Sequence, residues 1–361
     1  MAASRMTDGS RHPADVAEFL DRLYSEEGCQ WACRVTSPSA FRAWQTGARE
    51  AFRDLLGLTR IEAQAGRGRP MVEWAPDTED LGDCTRQQGR IDTEPSVRTS
   101  FWCLRPKGEG PFPLAITPHG HENGDIYAGI CTDEKDRRRM QDENRDVAVE
   151  AARRGFLAIA PATRGIGGNP RAYRIADIGE RHGGRDCVCH NWQVAVVGRS
   201  ALGERVWDLM RILDWALALP EVSGPALMLG NSGGGMATAH AAACDERIDM
   251  AVPCCAFNNY MSPAGTLRHC PCNAVPGLLS FGEFWDVAGL TAPRPLLTVN
   301  GRHDGLHPTD EVDAAVSRLT AIYDAAGAAG RYQHSYGEAG HRFYADIMWP
   351  WVETRVAELS A

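Results

Sequence analysis

A serine in a glycine-rich turn is the residue of this chain best placed to act as a nucleophile. Ser232 lies in a Gly-x-Ser-x-Gly pattern, with Gly230 and Gly234 on either side, between the apolar run 226–229 and the helix-forming run 236–244. A strand, a sharp turn and a helix in that order would strain the serine backbone and expose its hydroxyl. The two glycines would let the strand and the helix approach each other. A plain tight turn or a phosphate-binding loop would fit the same pattern.

A carboxylate and a histidine follow the serine, each directly behind a predicted strand. A serine hydroxyl needs a histidine to accept its proton, and the histidine needs a carboxylate to orient its ring and stabilise its charge. Asp304 follows the apolar run 295–299, and His341 follows a strand that ends near Tyr336. The sequence therefore predicts a catalytic triad of Ser232, Asp304 and His341.

Other residues compete for two of these roles. Asp304 could instead cap a turn, because Asp-Gly pairs are common in turns. Asp310 is a second candidate acid, although its position favours the first turn of a helix. His307 and His334 are alternative bases, and His341 could be an ordinary surface histidine.

Acyl chemistry also needs two backbone N–H groups to stabilise an oxyanion. We expect one from Gly233, the residue after the nucleophile, because the first amides of a helix favour negative charge beside them. The second is expected from His121, in the loop 119–124 that follows the predicted strand 112–117. A polar loop without a catalytic role is the alternative.

Strands and helices alternate along most of the chain. Apolar residues of the segment 201–219 recur at helical spacing, and further helices are predicted at 133–154, 309–325 and 342–359. Short apolar runs between them predict strands, listed here in order: 90–93, 97–104, 112–117, 156–160, 226–229, 248–254, 295–300 and 331–336. The predicted class is α/β, with a mostly parallel central sheet and helices on both faces.

The predicted organisation is an α/β catalytic domain over residues 81–361, preceded by a helical extension over residues 1–80. Loop inserts over the active site are expected at about 164–196 and 256–289. Substrate contacts are predicted from four insert residues: Arg164, Trp192, Asn259 and Tyr260. Ordinary packing of the inserts would explain the same side chains, and Arg164 could instead pair with a neighbouring acid.

Composition narrows the classes of partner. The chain has 361 residues and a net charge of −9, and its one basic run lies within a helix of mixed charge, so nucleic acid is not expected. No apolar run approaches a membrane span, and the polar segment 1–18 lacks the core of a signal peptide. We expect a cytoplasmic protein with a small-molecule ester substrate. The sequence does not decide whether the protein forms homo-oligomers. A secreted protein without its signal would look the same.

Twelve cysteines are a high count, and two Cys-x-Cys pairs stand at 187/189 and 270/272. A disulfide framework is typical of small secreted chains rather than of this length. Alternative zinc ligands would be His182, Cys187, Cys189 and His190. Their spacing is tighter than that of usual structural zinc sites. The prediction is therefore buried or loop thiols, with no metal and no cofactor.

With these motifs, the chain resembles the α/β-hydrolases of the acetyl xylan esterase and dienelactone-hydrolase-like branch, and it shares features with prolyl-oligopeptidase-type domains. The resemblance covers roughly residues 85–358 and rests on five segments: 119–120, 164–167, 230–235, 292–295 and 340–341. Acetyl xylan esterases tend to carry Gln where Ile166 and Gly233 stand, and dienelactone hydrolases carry Cys where Ser232 stands. The resemblance thus implies ester hydrolysis through the nucleophile elbow and oxyanion hole without choosing one ester.

The predicted function is a serine carboxylic-ester hydrolase, an esterase or deacetylase that works through an acyl-enzyme. Its substrate would be an acetylated carbohydrate or another small ester. The alternatives are a prolyl-oligopeptidase-like serine peptidase and a non-catalytic binding protein built on the same scaffold.

Overall fold

The computed structural model describes residues 14–23, 25, 28–66, 68–166, 186–260, 265 and 269–360. Within these ranges a nine-stranded sheet has the strand order β1-β2-β3-β5-β4-β6-β7-β8-β9. The strands are β1 (Val72–Asp80), β2 (Cys84–Glu94), β3 (Val97–Pro106), β4 (Phe112–Ile116), β5 (Leu157–Pro161), β6 (Val222–Asn231), β7 (Met250–Cys254), β8 (Leu296–Gly301) and β9 (Tyr332–Gly337). In this order, the first three pairs, β1/β2, β2/β3 and β3/β5, are antiparallel. The remaining pairs, from β5/β4 to β8/β9, are parallel.

Helices connect and cover these strands. They are α1 (Ala14–Leu23), α2 (Pro38–Leu55), α3 (Leu58–Ala65), α4 (Glu134–Glu143), α5 (Val147–Arg153), α6 (Asp186–Ala195), α7 (Ala201–Ala216), α8 (Gly233–Cys244), α9 (Leu278–Phe281), α10 (Phe284–Gly289), α11 (Thr309–Ala325) and α12 (Ala345–Ser360). Two short 3-10 segments lie at Gly124–Ala128 and Pro271–Asn273. Among the described residues, no helix combines the length and the apolar character that crossing a membrane would need.

Side chains of the central strands alternate between two apolar layers, as the period of a strand requires. Leu114 and Ile116 of β4 belong to the layer under α2, α7 and α8, whereas Ala115 belongs to the layer under α5 and α12. Every residue of β5 and β7 is buried. The predicted α/β class with a mostly parallel, doubly covered sheet is confirmed. Its parallel strands all end at one edge, where binding loops gather in such sheets.

The region predicted as a helical extension is helical only in part. Its last residues form β1, which pairs antiparallel with β2 and so satisfies the backbone groups of that strand. Phe41 and Phe52 of α2 are buried in the same apolar layer as the sheet. Arg49 and Arg53 donate to the last carbonyls of α8. Helices α2 and α3 therefore pack into the main core, and β1 extends its sheet.

Two further predictions about elements were wrong. The single helix predicted at 133–154 is two helices, because Asn144 takes a left-handed conformation with φ of 54° and ends α4. The insert expected at about 164–196 is not irregular throughout, since it contains α6. Residues 167–185 of that insert lie outside the described ranges. The insert at 256–289 contains α9 and α10.

Candidate active site

Ser232 occupies the turn between β6 and α8. Its φ of 57° and ψ of −123° are rare for a residue with a side chain. Its N–H donates to the carbonyl oxygen of Cys254 at 2.9 Å, which ties the turn to the end of β7. Because α8 begins at Gly233, Ser232 stands beside first-turn N–H groups that have no partner within the helix. The strained turn predicted for this serine is confirmed.

Glycines around Ser232 let three segments meet. A Cβ on Gly230 would lie 2.5 Å from the carbonyl oxygen of Pro118, and a Cβ on Gly234 would overlap the same oxygen. A Cβ on Gly120 would lie 3.1 Å from the Cβ of Ser232. The predicted steric reason for Gly230 and Gly234 is confirmed, and it extends to the loop after β4.

Asp304 and His341 meet behind the ends of β8 and β9. The Nδ1 atom of His341 lies 2.7 Å from Oδ2 of Asp304, and Asp304 is only 5% exposed. Its other carboxylate oxygen accepts the N–H of Leu306 at 2.9 Å. The competing acid, Asp310, lies in the first turn of α11, as its position in the sequence predicted.

The two alternative bases differ from His341 in accessibility or in position. Nδ1 of His307 lies 3.0 Å from the same Oδ2 of Asp304, but the His307 side chain is 2% exposed, against 25% for His341. His334 lies next to Thr298, with Nδ1 2.9 Å from the hydroxyl oxygen, and burial lowers its pKa to about 4. His341 is therefore the more accessible of the two histidines that contact Asp304.

Burial and hydrogen bonding act in opposite directions on this cluster. Burial alone would raise the pKa of Asp304, but hydrogen bonds from His307 and His341 hold that pKa well below its usual range. Burial would lower the pKa of His341, but the hydrogen bond to Asp304 and the negative charges of Cys255 and Asp304 together raise that pKa above its ordinary value. An ionised Asp304 places the proton of a neutral His341 on Nδ1, which leaves Nε2 free to accept another proton.

Ser232 and His341 line one cavity of about 640 Å³, and Gly233 and His121 line it as well. The size is typical of small-molecule sites. Apolar wall residues include Ile166, Met236 and Leu306. Charged wall residues are Glu122, Arg139, Glu143, Arg145 and Asp186. The cavity thus combines a candidate nucleophile and base with a wall of mixed charged and apolar residues.

The loop after β4 is anchored beside the nucleophile. His119 is buried, and its Nδ1 donates to the carbonyl of Gly120 while its Nε2 accepts the N–H of Thr163 at 2.9 Å. A Cβ on Gly233 would lie 3.2 Å from Nδ1 of His121. The two residues predicted to supply oxyanion donors are therefore neighbours at one wall of the cavity.

Arg145 connects three loops of the site, and the sequence prediction missed it by placing it within one long helix. It is 3% exposed, and it donates to Glu122 at 3.2 Å and to the carbonyl of His341 at 3.3 Å. With the Asn231 amide oriented to satisfy its neighbours, its oxygen accepts from Arg145 at 2.8 Å. Asn144 could have indicated the helix end next to Arg145, because asparagine is common at the residue where a helix ends.

Arg164, predicted to contact substrate, instead lies in a buried ion-pair network. Its guanidinium pairs with Glu94 at 2.7 Å and with Glu204 at 3.2 Å, and it forms a shorter pair with Asp208. These contacts agree with the alternative prediction for Arg164, in which it pairs with neighbouring acids. It joins β2, the loop after β5, and α7.

The other three predicted substrate contacts also lie away from the cavity wall. Trp192 is 62% exposed on α6, and Asn259 contacts Asn258 and Glu311. Tyr260 is fully buried, with its hydroxyl oxygen 3.0 Å from Nε2 of His240. Packing of the second insert explains Tyr260, since its ring stacks on an aromatic neighbour in the core.

Comparisons with known proteins agree with this architecture. No family model matches the chain. YtaP of Bacillus subtilis (strain 168), named as a hydrolase, is 29% identical over 259 residues, which are 70% of this chain and 80% of YtaP. A structure from Bacteroides fragilis, named as an acetyl xylan esterase, has a TM-score of 0.68 and 17% identity, and the match covers 96% of this chain and 86% of that one. Methylesterase BT1017 has a TM-score of 0.63 and 21% identity over 92% of this chain and 67% of its own.

The chain therefore has the α/β-hydrolase fold. The solved structures that match it are esterases by name, and the sequence relative is a hydrolase by name. The resemblance expected from the motifs is confirmed for the fold and for the broad class of hydrolytic enzymes.

Proposed function

We propose that this protein is a serine carboxylic-ester hydrolase with Ser232 as nucleophile, His341 as general base and acid, and Asp304 as the carboxylate that orients His341. The observation that carries the proposal is the 2.7 Å contact between His341 Nδ1 and Asp304, at the cavity that Ser232 also lines. The strained backbone of Ser232 supports it, because such strain clusters at catalytic turns.

The reaction would proceed through an acyl-enzyme. His341 takes the hydroxyl proton as Ser232 attacks the ester carbonyl, and it returns that proton to the departing alcohol. Water then attacks the acyl-enzyme with His341 again as base, which releases the acid and restores the hydroxyl. The amides of Gly233 and His121 would hold the oxyanion, and losing one such donor typically costs about 10² to 10³ in rate.

The charged part of the wall favours a hydroxylated substrate. Charged side chains that are not fully buried, Arg139, Glu143 and Asp186, can form hydrogen bonds with sugar hydroxyls, and apolar residues of the same wall can contact a short acyl group. An acetylated or otherwise esterified carbohydrate fits this wall. The names of the matched structures, acetyl xylan esterase and methylesterase, point in the same direction.

Labelling with a fluorophosphonate probe followed by peptide mass mapping tests the nucleophile. We expect the label on Ser232, together with turnover of p-nitrophenyl acetate that is lost in Ser232→Ala. Ser317→Ala, at an exposed serine of α11, is the matched control and should keep both. A panel of acetylated xylo-oligosaccharides, aryl acetates and prolyl amides then separates esterase from peptidase activity.

Two results would contradict the proposal. Rapid cleavage of prolyl amides with slow cleavage of esters would make the protein a serine peptidase. Absence of both labelling and turnover in the folded protein would favour a non-catalytic binding protein on the hydrolase scaffold.

A further inference from the structure

Three thiols and one imidazole converge beside the active-site cavity from distant parts of the chain. His121 lies in the loop after β4, and Cys187 lies in the first turn of α6. Cys270 directly precedes the second 3-10 segment, and Cys272 lies within it. One ligand atom from each lies within 4.8 Å of the others. The sulfur atoms of Cys187 and Cys270 are 3.5 Å apart, and Nε2 of His121 is 3.2 Å from the sulfur of Cys272.

This spacing matches a tetrahedral metal site. Zinc holds sulfur ligands at about 2.3 Å and nitrogen ligands at about 2.0–2.1 Å, which sets the ligand atoms roughly 3.5 Å from one another. We propose that His121, Cys187, Cys270 and Cys272 bind one zinc ion in a closed structural site. Four protein ligands complete the tetrahedron, so no position remains for a catalytic water.

Charge around the cluster suits a zinc thiolate centre. A divalent ion with three thiolates and one neutral imidazole has a net negative charge. Arg205 is 3% exposed and donates to the sulfur of Cys272 at 3.3 Å, which supplies the compensating positive charge. Its Nε also donates to the carbonyl of Arg164 and is thereby held in place. Such outer contacts orient ligands and stabilise metal sites.

A disulfide explains the same cluster less well. A bond between Cys187 and Cys270 would leave the buried Cys272 and the adjacent ring of His121 without a role. Of the zinc ligands considered from the sequence alone, Cys187 is the one that the described residues place in this cluster. His190 pairs with Glu204 at 2.7 Å, Cys189 is not in the cluster, and His182 lies outside the described residues.

The site would join both inserts to the loop that carries a proposed oxyanion donor. A zinc ion on Nε2 of His121 requires a neutral ring with its proton on Nδ1. That Nδ1 atom lies beside Gly233, next to the nucleophile. The metal would thus tie α6 and the second 3-10 segment to this loop and hold a further N–H donor beside Gly233.

Elemental analysis of the protein purified without chelators or a histidine tag tests the proposal. We expect one equivalent of zinc per chain, and cobalt substitution should give sulfur-to-cobalt charge transfer and the visible bands of a tetrahedral ion. Cys270→Ser and Cys272→Ser should each lower zinc content at least tenfold. Cys189→Ser, on the same helix as Cys187, is the matched control and should retain one equivalent.

The wild-type measurement keeps the test independent of whether the variants fold. Wild-type protein that carries no zinc and takes up none from stoichiometric zinc under reducing conditions would overturn the proposal. Peptide mass mapping without reductant that shows a disulfide between Cys187 and Cys270 in metal-free protein would overturn it in favour of a redox pair. Zinc retained equally in Cys272→Ser and Cys189→Ser would also overturn this ligand set.

Discussion

At the scale of single residues, contact with Asp304 together with a side chain that is 25% exposed distinguishes His341 from the other candidate bases. His341→Ala should lower kcat by about 10⁴-fold or more, because the serine would lose its base. His334→Ala should leave kcat unchanged, since His334 packs against Thr298 between β8 and β9. Steady-state hydrolysis of p-nitrophenyl acetate measures both. A comparable loss in His334→Ala, with His341→Ala still active, would reverse the assignment.

The same contact predicts how activity depends on pH. His341 must be neutral to accept the serine proton, and its pKa in the protein is raised above 6.5. Protonation therefore removes activity as the pH falls, and kcat/KM should decline on its acid limb with an apparent pKa above 6.5. A pH profile with a carboxylic ester measures this. An acid limb centred below 6 would show that His341 is not the titrating base.

At the scale of elements, Arg145 holds together loops that come from three places in the sequence. Arg145→Met would leave Glu122 buried without its cation, and breaking a buried pair in this way typically costs about 3–5 kcal/mol. The free energy of unfolding should fall by that amount, and kcat should fall with it as the loops shift. Arg138→Met, at an exposed arginine of α4, should change stability by less than about 0.5 kcal/mol.

Denaturant titration followed by ellipticity measures the stability of both arginine variants. Equal stability of the two would mean that the buried pair of Arg145 and Glu122 does not stabilise the joined loops.

At the scale of the whole molecule, helices α2 and α3 belong to the core that supports the nucleophile. Phe52 is fully buried and lies 5.0 Å, between ring centroids, from Phe281 of the second insert. Phe52→Ala should lower the free energy of unfolding by about 3–5 kcal/mol and keep one unfolding transition. Phe19→Ala, at a side chain that is 51% exposed on α1, should have little effect.

Calorimetry of the two phenylalanine variants tests this arrangement. An early, separate transition in Phe52→Ala with an unchanged main transition would instead support the independent helical extension expected from the sequence.

The sequence by itself determined those features that depend on short stretches of chain. The turn at Ser232 follows from local sterics, because only glycine at 230 and 234 allows strand and helix to approach. The order of strands and helices follows from the periods of apolar residues, and Asp304 and His341 each follow a strand in a parallel sheet. Parallel strands end at one edge, so residues far apart in sequence could be expected together there.

Tertiary structure alone decided the contacts between segments that lie far apart in the sequence and that no local pattern of apolar residues connects. Arg145 contacts Glu122 and His341 only because α4 ends early and buries its guanidinium. His307 shares Asp304 with His341, and Arg164 pairs with acids of two other elements, because packing brings those loops together. The cysteine and histidine cluster draws its members from three segments. No local pattern encodes such a set, since its members become neighbours only when the whole chain has folded.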